Sequence, residues 1–287
     1  MGEAKRKAVR NAEFLRQHPR CVYCGGPPNT IDHCPPRCFF LQRQWPETFE
    51  FPACSDCNTS ASLDEMAVAF LVREKLSEPM NNIDFEELKR LANGVRSNCP
   101  DLYAEWLQLG QLGPVGKKRV FREMFGEYGD VMRREKYGLL NIGELSHLTI
   151  QRFLVKLGKA LYYKHTDRLF DGVIYATQYN SITKKYPDEF FEEILRMAPW
   201  FSDTRRNGQL LTEQFSYKFN CSPEHEVLYA VVRFSAQFIM QLIVIGWKME
   251  NRLIESGADP TGWPPNLGRH ECPLKHTQGS LAGPELR

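Results

Sequence analysis

No long uninterrupted apolar run occurs in this sequence. The nearest approach, residues 227–245, is broken by Arg233, Ser235, Gln237 and Gln241. Its β-branched and aromatic residues read as buried strands, so no membrane-spanning helix is expected. The N-terminus is charged and has no apolar h-region, so no signal peptide is expected either. There is no internal repeat and no long low-complexity tract, which sets aside solenoid and fibrous classes. Nor is one sign of charge in excess. Lys and Arg total 37 against 35 Asp and Glu, a net charge of +2. Bulk charge therefore selects no partner. A soluble, cytoplasmic protein that engages no membrane is the expectation.

What is present is enough for a real core. The chain has 287 residues, of which 42% are hydrophobic, and that suits one large or two smaller globular domains. Nine cysteines in a reducing compartment point to metal binding more than to disulfides. Basic residues cluster locally. Lys5, Arg6, Lys7, Arg10, Arg16 and Arg20 face only Glu3 and Glu13, and Lys117, Lys118, Arg119 and Arg122 precede Arg133, Arg134 and Lys136. Such patches suit a polyanion, although a solvated helix face explains the second one as well.

The expected fold class is α+β. Residues 3–17 read as a basic amphipathic helix. Residues 20–58 are rich in turns and cysteine. A helix follows, opened by the capping-box pattern Ser62-x-x-Glu65, and "SEPMNN" (77–82) reads as a linker. Residues 1–78 would then form a first domain and 79–256 a mainly helical second one. Its helices are predicted at 84–97, 115–135, 144–165 and 188–197, and it would close in a small antiparallel β element. The 144–165 stretch spaces Phe153, Leu154, Leu157, Leu161 and Tyr162 as a core-facing helix does. Residues 210–219 alternate as a strand, and 257–287 read as an extended or disordered tail.

The cysteines carry the sharpest signal. Cys21-x-x-Cys24 and Cys54-x-x-Cys57 are two knuckles of the kind that hold structural zinc, because a two-residue gap lets both thiolates of a pair reach one ion. Cys34 and Cys38 lack that gap and read as free thiols, with a ligand set using His33 or Cys34 as the alternative. Closing the frame brings "TIDHCPP" (30–36) near Asn58, which directly follows Cys57. Asp32 and Asn58 offer hard oxygen donors that suit Mg²⁺ or Mn²⁺. His33 can serve as a general base near neutral pH.

The stretches "CVYC", "TIDHCPPR" and "FPACSDCN", with the helix after them, resemble the HNH, or ββα-metal, endonucleases. The form is closest to the phage endonuclease VII type, in which asparagine takes the last motif position. The resemblance covers about residues 18–76. It implies a zinc-stabilised ββα-metal domain with Cys21, Cys24, Cys54 and Cys57 on zinc. His33 would activate water, and Asp32 and Asn58 would hold the catalytic Mg²⁺ or Mn²⁺. The implied activity is phosphodiester hydrolysis of nucleic acid, with DNA the expected substrate and 5′-phosphate ends the product. Arg37 would touch phosphate, and Lys5, Arg6, Lys7 and Arg10 would form a binding arm. No asparagine lies between Cys34 and Ala53, so a carbonyl, Gln42, Gln44 or Thr48 must orient His33. The alternative is a zinc module that binds nucleic acid or protein without chemistry. A redox Cys-x-x-Cys lacks the βαβ context it needs.

Overall fold

The structure, a computed structural model, describes residues 2–74, 81–134, 140–179, 188–235, 238–257 and 268–275. Among these, α1 (Glu3–Gln17) is the expected basic helix. It buries no residue, and Glu13 pairs with Arg16 across one turn at 2.8 Å. β1 (Thr30–His33) and β2 (Glu50–Ala53) then pair antiparallel, with Asp32 opposite Phe51 and His33 opposite Glu50. α2 (Ser55–Ser60) and α3 (Ser62–Glu74) follow, and α3 buries Ala67, Val68, Leu71 and Val72. The capping box expected at Ser62 gives way to another interaction. Glu65 falls on the buried side of α3 and pairs with Lys156 at 2.5 Å.

α4 (Asn82–Asn98) is capped by Asn81, whose side chain accepts the Asp84 N–H at 2.9 Å. α5 (Pro100–Leu107), which the sequence reading missed, starts on a proline, as first turns tolerate. The single helix expected over 115–135 is two, α6 (Pro114–Phe125) and α7 (Gly129–Arg134). They separate at Gly126, whose φ of 57° ends the α-helical run. α8 (Glu144–Thr166) is the core helix predicted for 144–165.

β3 (Gly172–Tyr179) adds a strand inside the region expected to be mainly helical. α9 (Asp188–Arg196) and β4 (Trp200–Ser202) follow. The small hairpin of β5 (Arg205–Arg206) and β6 (Gln209–Leu210) leads into β7 (Ser216–Ser222). β8 (Val227–Phe234) and β9 (Phe238–Gly246) are the apolar strands foreseen at 227–246. α10 (Trp247–Glu255) comes next. β10 (Gly268–Cys272) puts part of the expected tail onto a sheet edge. The β element is thus not small. It is a six-stranded antiparallel sheet in the order β10-β3-β9-β8-β7-β4.

The sheet is apolar on both faces, which is why its strands lack the polar alternation of a half-buried sheet. Ile174, Ala230, Val232, Leu242 and Val244 face α8, where Phe153, Leu154, Leu157 and Leu161 meet them. Gly158 lets this helix approach closely, since a Cβ there would lie 3.2 Å from Ile174 Cδ1. The other face sets Val173, Tyr175, Tyr229, Ile243 and Ile245 against Ile194 of α9 and Trp247 of α10. Among the described residues, no helix is long and apolar enough to cross a membrane.

The division expected near residue 78 does not divide the core. Most of that linker, and the stretches 258–267 and 276–287 of the tail, lie outside the described residues. One apolar cluster nevertheless runs from Phe39, Val68 and Val72 through Trp106 and Phe153 to the sheet. Phe39 stacks on Phe153 at 4.9 Å and lies 5.1 Å from Phe234, joining the cysteine-rich unit to α8 and β8. Phe153→Ala should therefore cost about 3–5 kcal/mol in a single urea transition. Two transitions, with the first unaffected by the substitution, would mean that residues 1–78 fold independently.

Candidate functional site

The knuckles form as their sequence requires. Gly25, at φ 80°, turns the chain after Cys24 and donates its N–H to the Cys21 carbonyl at 2.9 Å. Cys54 sits at the N-cap of α2, where its sulfur accepts the Cys57 N–H at 3.5 Å. The four sulfurs of Cys21, Cys24, Cys54 and Cys57 lie within 4.8 Å of one another, and Cys24 and Cys54 are 3.7 Å apart. Tetrahedral zinc with Zn–S bonds near 2.3 Å needs sulfurs about 3.8 Å apart, so this donor set fits the ion. The Cys57 S–H stabilises a thiolate on Cys21, whose pKa falls to about 5, and the same bond pushes the Cys57 pKa up. Among the described residues this is the only His, Cys, Asp and Glu cluster with ligand spacing. Cys34 and Cys38 stay outside it as thiols. Burial pushes both pKa values up, that of Cys38 to about 12.

Strand alternation decides what lies on each side of β1. Thr30 and Asp32 share one face, and His33 takes the other. Asp32 is only 4% exposed. Its Oδ2 accepts the Tyr23 hydroxyl at 2.5 Å and lies 2.8 Å from Lys156 Nζ. The same ammonium reaches Glu65 Oε1. Burial raises the Glu65 pKa to about 7, against the pull of Lys156. Asn58 donates from Nδ2 to Thr30 Oγ1 at 3.3 Å, and Thr30 in turn donates to the Ala53 carbonyl at 3.0 Å. Mg²⁺ or Mn²⁺ would need oxygen donors near 2.1 Å and room for several waters. Tyr23 and Lys156 both meet Asp32 Oδ2, which sets an ammonium where the ion would bind, and Asn58 is turned to Thr30 through its amide nitrogen. This donor set does not fit the divalent ion.

His33 occupies a different setting. Arg37 Nη2 donates to its Nε2 at 2.6 Å, and Glu50 Oε1 lies 3.3 Å from the same nitrogen. The ring meets the edge of Trp45 at 5.0 Å. Burial pushes the His33 pKa down and Arg37 pushes it further, while Glu50 opposes them. The imidazole is therefore neutral near pH 7, with a lone pair available once Arg37 moves. Two guanidiniums stack on Trp45, Arg37 at 3.7 Å and Arg206 at 3.9 Å from the ring centroid. Arg10 of α1 lies 3.5 Å from Glu50, which carries the basic helix to the edge of this cluster. Lys5, Arg6 and Lys7 are exposed along the same helix.

Several of these residues were not legible beforehand. Glu50, rather than Gln42, Gln44 or Thr48, stands beside His33, and the β1–β2 register was the signal that could have found it. Tyr23 lies inside a motif read only for its cysteines. Lys156 and Arg206 come from distant segments and carried no local signal.

The zinc assignment has a direct check. Cys54→Ser should lower zinc from about one per chain toward none by elemental analysis, and its thermal unfolding should no longer respond to added zinc. Full zinc content in that variant would refute the four-cysteine set. In comparisons with known proteins, no family model matches this chain, and neither a curated protein nor a solved structure resembles it significantly.

Proposed function

We propose that the His33 face hydrolyses phosphodiester bonds of nucleic acid, with DNA as the expected substrate. One observation carries this reading. A neutral imidazole stands beside a carboxylate, Glu50, inside a group of arginines, Arg10, Arg37 and Arg206. Guanidiniums bind phosphate through paired N–H donors. A phosphate that takes Arg37 withdraws the donor now held at His33 Nε2. The freed lone pair removes a proton from water, and Glu50 stabilises the imidazolium that results. The water oxygen bonds to phosphorus as the bond to the 3′ oxygen breaks. That oxygen takes its proton from solvent, and the guanidiniums balance the negative charge of the transition state.

No step passes through a divalent ion at Asp32 and Asn58, since the Lys156 ammonium already holds the Asp32 carboxylate. Zinc at the four cysteines is structural in this reading. It fixes β1 and α2, and the exposed cations of α1 follow the sugar–phosphate backbone. A second reading, a zinc-stabilised module that binds nucleic acid without cleaving it, is favoured by one observation. The carboxylate that the HNH resemblance assigns to catalysis is buried against Lys156.

Cleavage of plasmid and oligonucleotide substrates, assayed with Mg²⁺, with Mn²⁺ and with EDTA, separates the two. His33→Ala should lower the rate by about 10²-fold or more while leaving affinity for uncleaved DNA nearly unchanged. Wild type that binds DNA in every buffer and cuts in none would establish the second reading. The pH profile supplies another check. A depressed histidine pKa keeps the base neutral at lower pH, so the acidic limb of kcat/KM should fall below the ordinary histidine value of about 6.5. A limb above that value would remove His33 as the base. Arg206→Ala should weaken DNA binding and make the salt dependence shallower by about one ion, as read by fluorescence anisotropy across a salt series.

A further inference from the structure

We infer that Lys156 is the resident cation of the Asp32–Glu65 pair, so that the wild-type protein binds no divalent ion there. This goes beyond the hydrolase reading and holds whether or not the chain cleaves nucleic acid.

The ammonium is used in full. Its contacts are Asp32 Oδ2 at 2.8 Å, Glu65 Oε1 at 2.5 Å and the face of the Tyr23 ring at 5.1 Å. An ammonium has three donors and no lone pair, so it satisfies two carboxylates and an aromatic face as a small cation would. Lys156, Asp32 and Glu65 are all buried, which leaves no room for the waters a hydrated Mg²⁺ retains. Other groups nearby do not compete for the position. Asp64 turns outward to Arg152, with Nη2 at 2.7 Å, and Cys34 is a buried neutral thiol. Burial opposes the Lys156 charge, yet the neighbouring Asp32 raises its pKa on balance.

The geometry of α8 makes this contact more than incidental. Arg152, Lys156 and Lys159 recur at the spacing of one helix face. Each meets an acceptor on the cysteine-rich unit, namely Asp64, the Asp32–Glu65 pair and the Tyr23 carbonyl at 2.9 Å. Lys164, further along, reaches Thr48 Oγ1 at 2.7 Å. The lysine is thus delivered to the carboxylates by a rigid helix that is anchored on either side of it.

Mn²⁺ binding to the zinc-loaded protein, followed by electron paramagnetic resonance without substrate, tests the inference. Wild type and Lys156→Arg should have no Mn²⁺ site that depends on Asp32. Lys156→Ala, which removes both the ammonium and the stem that fills the space, should acquire one, and the added change Asp32→Asn should weaken it at least about tenfold. Two results would overturn the inference: a wild-type Mn²⁺ site lost in Asp32→Asn, or a folded Lys156→Ala that gains none. Should Lys156→Ala fail to fold, the comparison of wild type with Asp32→Asn decides alone. Because no cleavage is measured, loss of this inference and loss of the hydrolase reading are separate outcomes.

Discussion

Neighbouring side chains on a β-strand leave opposite faces of the sheet, and in β1 that rule parts Asp32 from His33. The consequences run through the molecule. Asp32 turns toward Tyr23 and α8 and becomes part of the interior. His33 turns toward Trp45, Arg37 and Glu50 at a partly open edge. Two residues adjacent in sequence therefore belong to different environments, one that holds the fold together and one that can meet a ligand. The four-cysteine frame matters because it sets this orientation. Its two knuckles lie just before β1 and just after β2, so a metal shared between them, such as zinc, would keep the pairing from slipping by one residue and exchanging the faces.

The interior side is an ionic network, which is an expensive way to hold two parts of a chain together. Burying Lys156 with Asp32 and Glu65 forfeits hydration that the attraction only partly restores. An apolar set of similar volume could be equally stable. What the charges add is uniqueness of docking: α8 meets the cysteine-rich unit in a single register, because any other leaves a buried charge unpaired. Apolar packing supplies the cohesion around it. Phe39, Phe153 and Phe234 meet at the same junction, and the core continues into the six-stranded sheet.

Legibility followed locality. The knuckle cysteines were readable because their spacing is itself a consequence of metal geometry. α1 and α8 were readable because apolar and charged positions repeat with the helical period. β3 was missed because both its faces are covered, so Val173 and Ile174 carry no alternation to detect. Glu65 was misread for a related reason. Ser-x-x-Glu is a sound local capping pattern, but a buried cation at Lys156 outbids a solvent-exposed cap. That partner lies far along the chain, and sequence alone gives no hint of it. Glu50 lay within reach, since pairing the two short strands around the knuckles puts it opposite His33.

The open side of β1 is also assembled from both halves of the chain. Arg206 comes from the β5–β6 hairpin, and Trp45 comes from the loop between β1 and β2. The hairpin is held there by hydrogen bonds to Glu47. Glu47 N–H donates to the Arg205 carbonyl at 2.9 Å, and Asn207 N–H donates to the Glu47 carboxylate at 2.9 Å. Arg37 and Arg206 therefore face the same indole, although two like charges repel. The arrangement is tolerable because the aromatic faces and Glu50 offset part of that repulsion. A phosphate bridging the two guanidiniums would offset more of it. The Nε atoms of Arg37 and Arg206 are buried and have no hydrogen-bond partner among the described residues, a condition that buried polar atoms rarely keep. The arginine cluster at this edge thus depends on docking of the C-terminal half, which supplies Arg206.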